Sequence, residues 1–91
     1  MHFLKLYFDL TEGNFCLTIL GIQYRFTHFE SLDNSENELV LYNKNNEIVH
    51  KFTDVNICLL IAKATHSIAS GKLDFVRIQH GSTIKPSDFG D

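Results

Sequence analysis

The sequence contains few glycines, and they are scattered along the chain. Its five glycines are isolated from one another, at Gly13, Gly21, Gly71, Gly81 and Gly90. A phosphate-binding loop needs closely spaced glycines, because its backbone N–H groups must approach the phosphate. The spacing therefore excludes nucleotide binding by a loop of this kind.

Long hydrophobic runs are also missing. The apolar stretch 57–62 is far shorter than the roughly 20 residues that a membrane-spanning helix needs. The apolar N-terminal segment is interrupted by Lys5 and Asp9, and no small-residue cleavage site follows it. These features predict an N-terminal strand and, by default, a cytoplasmic protein with no membrane partner.

Cysteine and histidine do not occur in patterns typical of metal binding or catalysis. Cys16 and Cys58 both lie among apolar residues, which is typical of buried free thiols. The five histidines, His2, His28, His50, His66 and His80, have none of the spacings of a zinc site. A nucleophile elbow is absent, and the kinase-like tripeptide at 88–90 stands without the other kinase motifs. We therefore expect a non-enzymatic protein without a metal or cofactor.

The charge is mildly acidic and indicates no particular partner. The chain has 11 acidic and 8 basic residues, which gives a formal net charge of −3. Its first 45 residues are the more acidic half. Binding to a nucleic-acid backbone requires clustered Lys and Arg, so the sequence favours a protein partner over nucleic acid.

Length and composition predict one globular domain. The chain has 91 residues, of which 44% are hydrophobic, too many for a largely disordered protein and too few residues in all for two cores. We place a single domain at 1–80 and an irregular C-terminal tail at 81–91. A domain of this size has a stability margin of only a few kcal/mol.

The first half of the chain reads as strands. Residues 3–10 alternate with period two, with Leu4, Leu6, Phe8 and Leu10 on one face. A turn at 12–14 and a second extended segment at 15–20 complete a hairpin. Gly21 then interrupts the pattern before 22–29, which predicts either one bent or bulged strand or two strands joined by a tight corner.

The second half contains one helix between strands. A polar loop at 31–38 precedes a hairpin made of 39–42, an asparagine-rich turn at 43–46, and 48–52. Apolar residues at helical spacing predict a helix over 55–70, capped by Thr53 or Asp54 and ended by Gly71. A last strand follows at 73–78. The predicted fold is α+β: a small antiparallel sheet of about five strands, in the order β-β-β-β-α-β, with one helix packed on one face.

Two sets of residues are candidates for partner binding. Aromatic side chains predicted on the face opposite the core are Phe3, Tyr7, Phe29 and Tyr42. Acidic side chains predicted in the exposed loop are Asp33, Glu36 and Glu38. If the helix covers only one face of the sheet, the aromatic set forms an exposed binding patch. The alternative is that the strands curl so that both faces are buried.

These features lead to a functional hypothesis by elimination. The chain is interpreted as a small protein-interaction module, in which the acidic loop and aromatics contact a partner. Its frequent Asn, Lys, Ile and Phe suggest an AT-rich genome, as in many bacteria, phages and mobile elements. A small chain without a catalytic constellation has few ways to act other than blocking another protein, so we expect an inhibitor of a phage or mobile-element type that occludes a host protein. Homodimerisation through an edge strand is a further expectation.

Two alternatives stay open. One is a single-stranded nucleic-acid-binding protein that stacks bases on sheet aromatics, flanked by Lys5, Arg25, Lys51 and Arg77. The other is a small enzyme whose acidic or histidine residues come together only in the fold.

Overall fold

An antiparallel hairpin opens the fold. In the computed structural model, which describes residues 3–31 and 38–78, β1 (Leu4–Asp9) pairs with β2 (Asn14–Ile19). Between them the Asp9 carboxylate accepts hydrogen bonds from the backbone N–H groups of Thr11 (2.9 Å) and Glu12 (3.3 Å). The predicted first hairpin is therefore confirmed, and a side chain holds its turn.

The next strand returns beside β2 after a two-residue turn. β3 (Ile22–Phe26) pairs antiparallel with β2, and both turn residues, Leu20 and Gly21, have positive φ (49° and 84°). Two positive φ values give the turn whose twist suits a two-residue hairpin. The tight-corner alternative is thus confirmed, whereas a bulge at Gly21 within one long strand was wrong.

The chain changes sheet at Thr27. The predicted strand 22–29 splits there into β3 and β4 (His28–Ser31). The Thr27 N–H donates to the Tyr42 carbonyl at 2.8 Å, and its hydroxyl donates to the same oxygen at 3.3 Å. These bonds tie the corner to β5 (Leu39–Tyr42), which pairs with β4 and with β6 (Ile48–Phe52).

Asn43 organises the turn between β5 and β6. Its side-chain oxygen accepts hydrogen bonds from the N–H groups of Asn45 (2.9 Å) and Glu47 (3.0 Å). Asn46 adopts the left-handed conformation, φ 61°, which asparagine tolerates better than most residues. The predicted second hairpin is confirmed, with its ladder shifted by an irregularity between Leu41 and Tyr42.

The single described helix, α1 (Val55–Ala69), has clear signals at both ends. The Asp54 carboxylate accepts hydrogen bonds from the N–H groups of Asn56 (2.9 Å) and Ile57 (3.1 Å). After Ser70, Gly71 takes a φ of 81°, and the backbone N–H of Lys72 donates to the Ser67 carbonyl at 3.0 Å. This arrangement is a Schellman cap, so the predicted stop at Gly71 is confirmed.

The strands form two sheets rather than one. Sheet A has the order β3-β2-β1-β7, in which β7 (Phe75–Ile78) pairs antiparallel with β1, and sheet B has the order β4-β5-β6. The α+β class with antiparallel strands and one helix is confirmed. The count of about five strands in one sheet was too low, because the corner at Thr27 starts a second sheet.

One hydrophobic core joins both sheets to the helix. The inner face of sheet A contributes cross-strand rows such as Val76–Leu6–Leu17–Tyr24, and α1 contributes Cys58, Leu60, Ile61 and Ala64. Sheet B adds Leu39, Leu41 and Phe52 to the same cluster. At the junction, the Tyr24 ring lies 4.7 Å from His50 and 5.4 Å from Phe52.

Candidate functional site

An apolar cleft opens where the inner face of β1 extends beyond the helix. Along that face Leu4 and Leu6 are fully buried, Phe8 is 37% exposed and Leu10 is 88% exposed. The helix ends at Ala69, and Gly71 turns the chain toward β7, which leaves this end of the sheet only partly covered. The change in exposure along one face locates the cleft.

The cleft is large enough for one or two side chains of a partner. Its volume is about 600 Å³, and its lining residues are Phe8, Leu10, Phe15, Ile68, Ala69, Gly71, Leu73 and Asp74. The Phe8 ring meets Phe15 edge-on at 4.9 Å, and Phe15 stacks on Phe26 at 5.2 Å. Because Phe26 is fully buried, one wall of the cleft is anchored in the core.

A smaller concavity adjoins the cleft on the other side of the sheet edge. It measures about 340 Å³ and is lined by Lys5, Tyr7, Phe8, Asp74, Phe75 and Arg77. Phe8 and Asp74 line both spaces. Among the described strands, β7 pairs only with β1, so its far side forms an edge of sheet A.

A third hollow lies between sheet B and the helix. It measures about 260 Å³ and is lined by Phe29, Ser31, Leu39, Cys58, Leu59 and Ala62. Burial raises the pKa of the Cys58 thiol, with a further contribution from the negative charge of Asp54. The thiol donates to the Phe52 carbonyl at 3.4 Å. A raised pKa disfavours the reactive thiolate, so this environment suits a structural cysteine.

The predicted aromatic residues do not come together on one exposed surface. Phe3 and Phe29 are partly buried and pack against the core. Tyr7 is half-buried on sheet A, whereas Tyr42 is half-buried on sheet B and stacks on His28 at 5.3 Å. The set is therefore divided between two sheets.

The predicted acidic set lies mostly outside the described residues. This applies to Asp33, Glu36 and nearly all of the loop, as it does to the tail at 81–91. Glu38 is described, and its carboxylate pairs with the Lys51 ammonium at 3.3 Å. The contribution of this loop to binding stays a prediction.

Metal-ligand groups and membrane spans were sought in the described parts of the chain. Across residues 3–31 and 38–78, no three His, Cys, Asp or Glu side chains are grouped so that they could hold a metal ion. Within the same residues, no helix is both long and apolar enough to cross a membrane.

Asp9 is the most strongly paired carboxylate that the structure describes. The Arg25 guanidinium lies 3.1 Å away, and with the N–H donors of Glu12 and Thr11 it lowers the pKa of Asp9. A depressed pKa favours the folded state above the unfolded value of about 4, and this contribution is lost as pH falls through the folded pKa. The ion pair thus makes stability sensitive to acid.

Replacing Asp9 with asparagine should reduce this acid sensitivity. Asp9→Asn is expected to lower the urea midpoint at pH 7 and to narrow the difference between midpoints at pH 7 and pH 3, because the titrating group is gone. Arg25→Gln leaves the two backbone N–H donors to Asp9 in place. It should therefore lower the midpoint at pH 7, and narrow the difference between the midpoints, by less than Asp9→Asn does. An unchanged difference in Asp9→Asn would contradict a role for this carboxylate.

Sequence reasoning did not assign Phe8, Leu10, Leu73 or Phe75 to a binding surface, and it placed Phe8 and Leu10 in the core. The available signal was the position of Leu10, which lies two residues before the turn predicted at 12–14. No family model, curated protein or solved structure matches this chain.

Proposed function

We propose that this protein is a non-enzymatic protein-interaction module that receives an apolar segment of a partner in the cleft. The observation that carries the proposal is Leu10, which is 88% exposed beside an apolar hollow of about 600 Å³. Covering one leucine side chain contributes about 2 kcal/mol. A few such contacts around Phe8 and Leu73 would give a specific complex.

The lining of the cleft indicates what the partner segment looks like. Its walls are apolar apart from Asp74, whose side chain is exposed at the margin. A partner that inserts Leu, Ile or Phe and places a Lys or Arg next to it would match both features. Such binding supports action by occlusion, the mode proposed above for an inhibitor from a phage or mobile element.

Leu20 provides a matched comparison surface at the opposite end of sheet A. Its side chain is 58% exposed, and its φ is positive, a conformation that Asn or Gly adopts at a lower free-energy cost than Leu. Both leucines can be replaced by aspartate without opening the core. A difference in partner binding between the two variants therefore reflects the surface that was changed and not a loss of folding.

Leu10→Asp is expected to abolish capture of a protein partner, and Leu20→Asp to retain it. A charge placed over the cleft must be desolvated when an apolar segment binds, which should weaken binding at least about 30-fold. The measurement is a tagged pull-down from nuclease-treated lysate of the source organism or its host, with the bound proteins quantified by mass spectrometry. Circular dichroism checks that both variants fold.

A third variant tests the acidic loop in the same experiment. Loss of the partner only when Asp33, Glu36 and Glu38 are reversed to lysine would move the binding site from the cleft to the loop. Equal capture of the partner by wild type and Leu10→Asp would contradict the cleft proposal.

We also propose that a second copy of the chain pairs through the β7 or β4 edge. Sedimentation equilibrium of the purified protein tests that homodimer.

A further inference from the structure

The outer face of sheet A, meaning the side that faces away from the helix, has a composition unlike the chain as a whole. Its cross-strand rows are Phe75–Tyr7–Cys16–Arg25 and Arg77–Lys5–Thr18–Gln23, with the pair Asp9–Asn14 beside them. Three cations and two aromatic rings therefore share one side of four strands. The whole chain, by contrast, carries a net charge of −3.

Two positive charges on this face are direct neighbours, so a bound anion would reduce the repulsion between them. Lys5 and Arg77 are direct cross-strand partners, and both side chains are exposed. Like charges directly opposite each other destabilise a sheet. Arg25 is neutralised by Asp9 at 3.1 Å, but neither Lys5 nor Arg77 has an ion pair with a described carboxylate. These two cations therefore lie side by side at the β1–β7 pairing without a described carboxylate to neutralise them.

Aromatic rings lie directly beside this cationic pair. Tyr7 and Phe75 are cross-strand partners in the adjacent row, and Phe75 is 49% exposed. The Arg77 guanidinium lies 5.2 Å from the centre of the Phe75 ring. Together with Lys5, Phe8 and Asp74 they line the concavity of about 340 Å³. Exposed rings next to cations on an open sheet are the common platform for bases and phosphates.

Cys16, the cross-strand partner of Tyr7, packs tightly within this face. Cys16 is almost fully buried although it belongs to the outer face, and Gln23 donates its side-chain N–H to the Cys16 sulfur at 3.0 Å. Hydrogen bonding with Cys16 also raises the pKa of Tyr7. The raised pKa keeps the Tyr7 hydroxyl protonated, so the ring carries no charge that would repel a phosphate.

We propose that the outer face binds single-stranded nucleic acid, with phosphates at Lys5 and Arg77 and a base stacked on Phe75 beside Tyr7. The Arg77 guanidinium lies over one face of the Phe75 ring, so a base would stack on the other face. An acidic peptide would satisfy the cations but would leave that face uncovered, so the combination favours nucleic acid. This activity goes beyond the cleft function, since it uses the opposite face of the sheet.

Fluorescence anisotropy with labelled oligo(dT) and oligo(rU) of about 12 nucleotides tests this proposal. Binding in the micromolar range is expected at about 50 mM salt, and two phosphate contacts predict a slope of log affinity against log salt of about −1.4. Lys5→Gln with Arg77→Gln should weaken binding about tenfold or more and remove most of that slope. Phe75→Ala should weaken binding about tenfold through lost stacking.

The matched control is Lys44→Gln with Lys63→Gln, which removes the same charge from the β5–β6 turn and from α1, away from the outer face of sheet A. This control and Leu10→Asp should bind the oligonucleotides as the wild type does, so a failed cleft and a failed outer face are distinguishable. Absence of saturable wild-type binding, or equal losses in both double variants, would overturn the proposal. Displacement by polyglutamate together with no effect of Phe75→Ala would show that the face takes acidic polypeptides instead.

Discussion

Alanine in place of Leu6 is expected to lower the free energy of unfolding by about 3 kcal/mol. Leu6 is fully buried in the row Val76–Leu6–Leu17–Tyr24, beneath the helix. Its removal loses apolar burial and leaves a cavity that close-packed neighbours fill only in part. A domain of this size has a total stability of roughly 5 kcal/mol, so most of the margin would disappear.

Urea unfolding followed by circular dichroism measures this loss. At an m-value of roughly 1.5 kcal/mol per M, the midpoint should fall by about 2 M. Leu10→Ala is the matched control, since it changes the same residue type four positions after Leu6 on the same alternation, one residue beyond the end of β1. Leu10 is 88% exposed, and its replacement should shift stability by less than about 0.5 kcal/mol. Equal losses in both variants would contradict the described packing.

Local structure could be predicted from the sequence because its causes are local. The alternation of Leu4 and Leu6 with polar residues defines β1, and the carboxylate of Asp54 and the left-handed Gly71 define the two ends of α1. These signals depend on residues a few positions apart. The elements other than β3 and β4 were therefore predicted close to their observed bounds.

The arrangement of those elements could not be predicted in the same way. The corner at Thr27 depends on hydrogen bonds to Tyr42, fifteen residues later, and nothing at 22–29 signals it. The placement of β7 beside β1 is equally long-range. Register between distant strands is set by packing, and one residue of slip moves every side chain to the other face.

Both candidate surfaces follow from those long-range pairings. Leu10 was expected in the core because it continues the inward alternation of β1, but it lies one residue past that strand, where the helix no longer covers the sheet. Lys5 and Arg77 are far apart in sequence, and the β1–β7 register makes them neighbours. The sequence identified the cations Lys5, Arg25 and Arg77 and the ring of Tyr7 as candidates, but it missed Phe75 and did not show that four strands collect these residues on one face.

The junction between the two sheets provides the second large effect on stability. Phe52 on β6 is nearly buried, and its ring meets Tyr24 edge-on at 5.4 Å and His50 at 4.7 Å. Because β3 and β6 belong to different sheets, the contacts of the Tyr24 ring with Phe52 and with His50 (4.7 Å) join sheet A to sheet B. Phe52→Ala should therefore cost about 4 kcal/mol of unfolding free energy and leave the protein barely folded at 25 °C. Ile48→Ala, on the same strand but 68% exposed, is the control and should cost little.

A double-mutant cycle separates the ring contact from general loss of volume. Tyr24→Leu and Phe52→Leu keep apolar bulk at the junction, so each single variant should stay folded. If the two rings hold the sheets together, the double variant should be less destabilised than the sum of the singles, by about 1 kcal/mol, because the interaction can be lost only once. Strict additivity in urea unfolding would mean that the sheets are joined by the shared aliphatic core and that the rings are separate contributors.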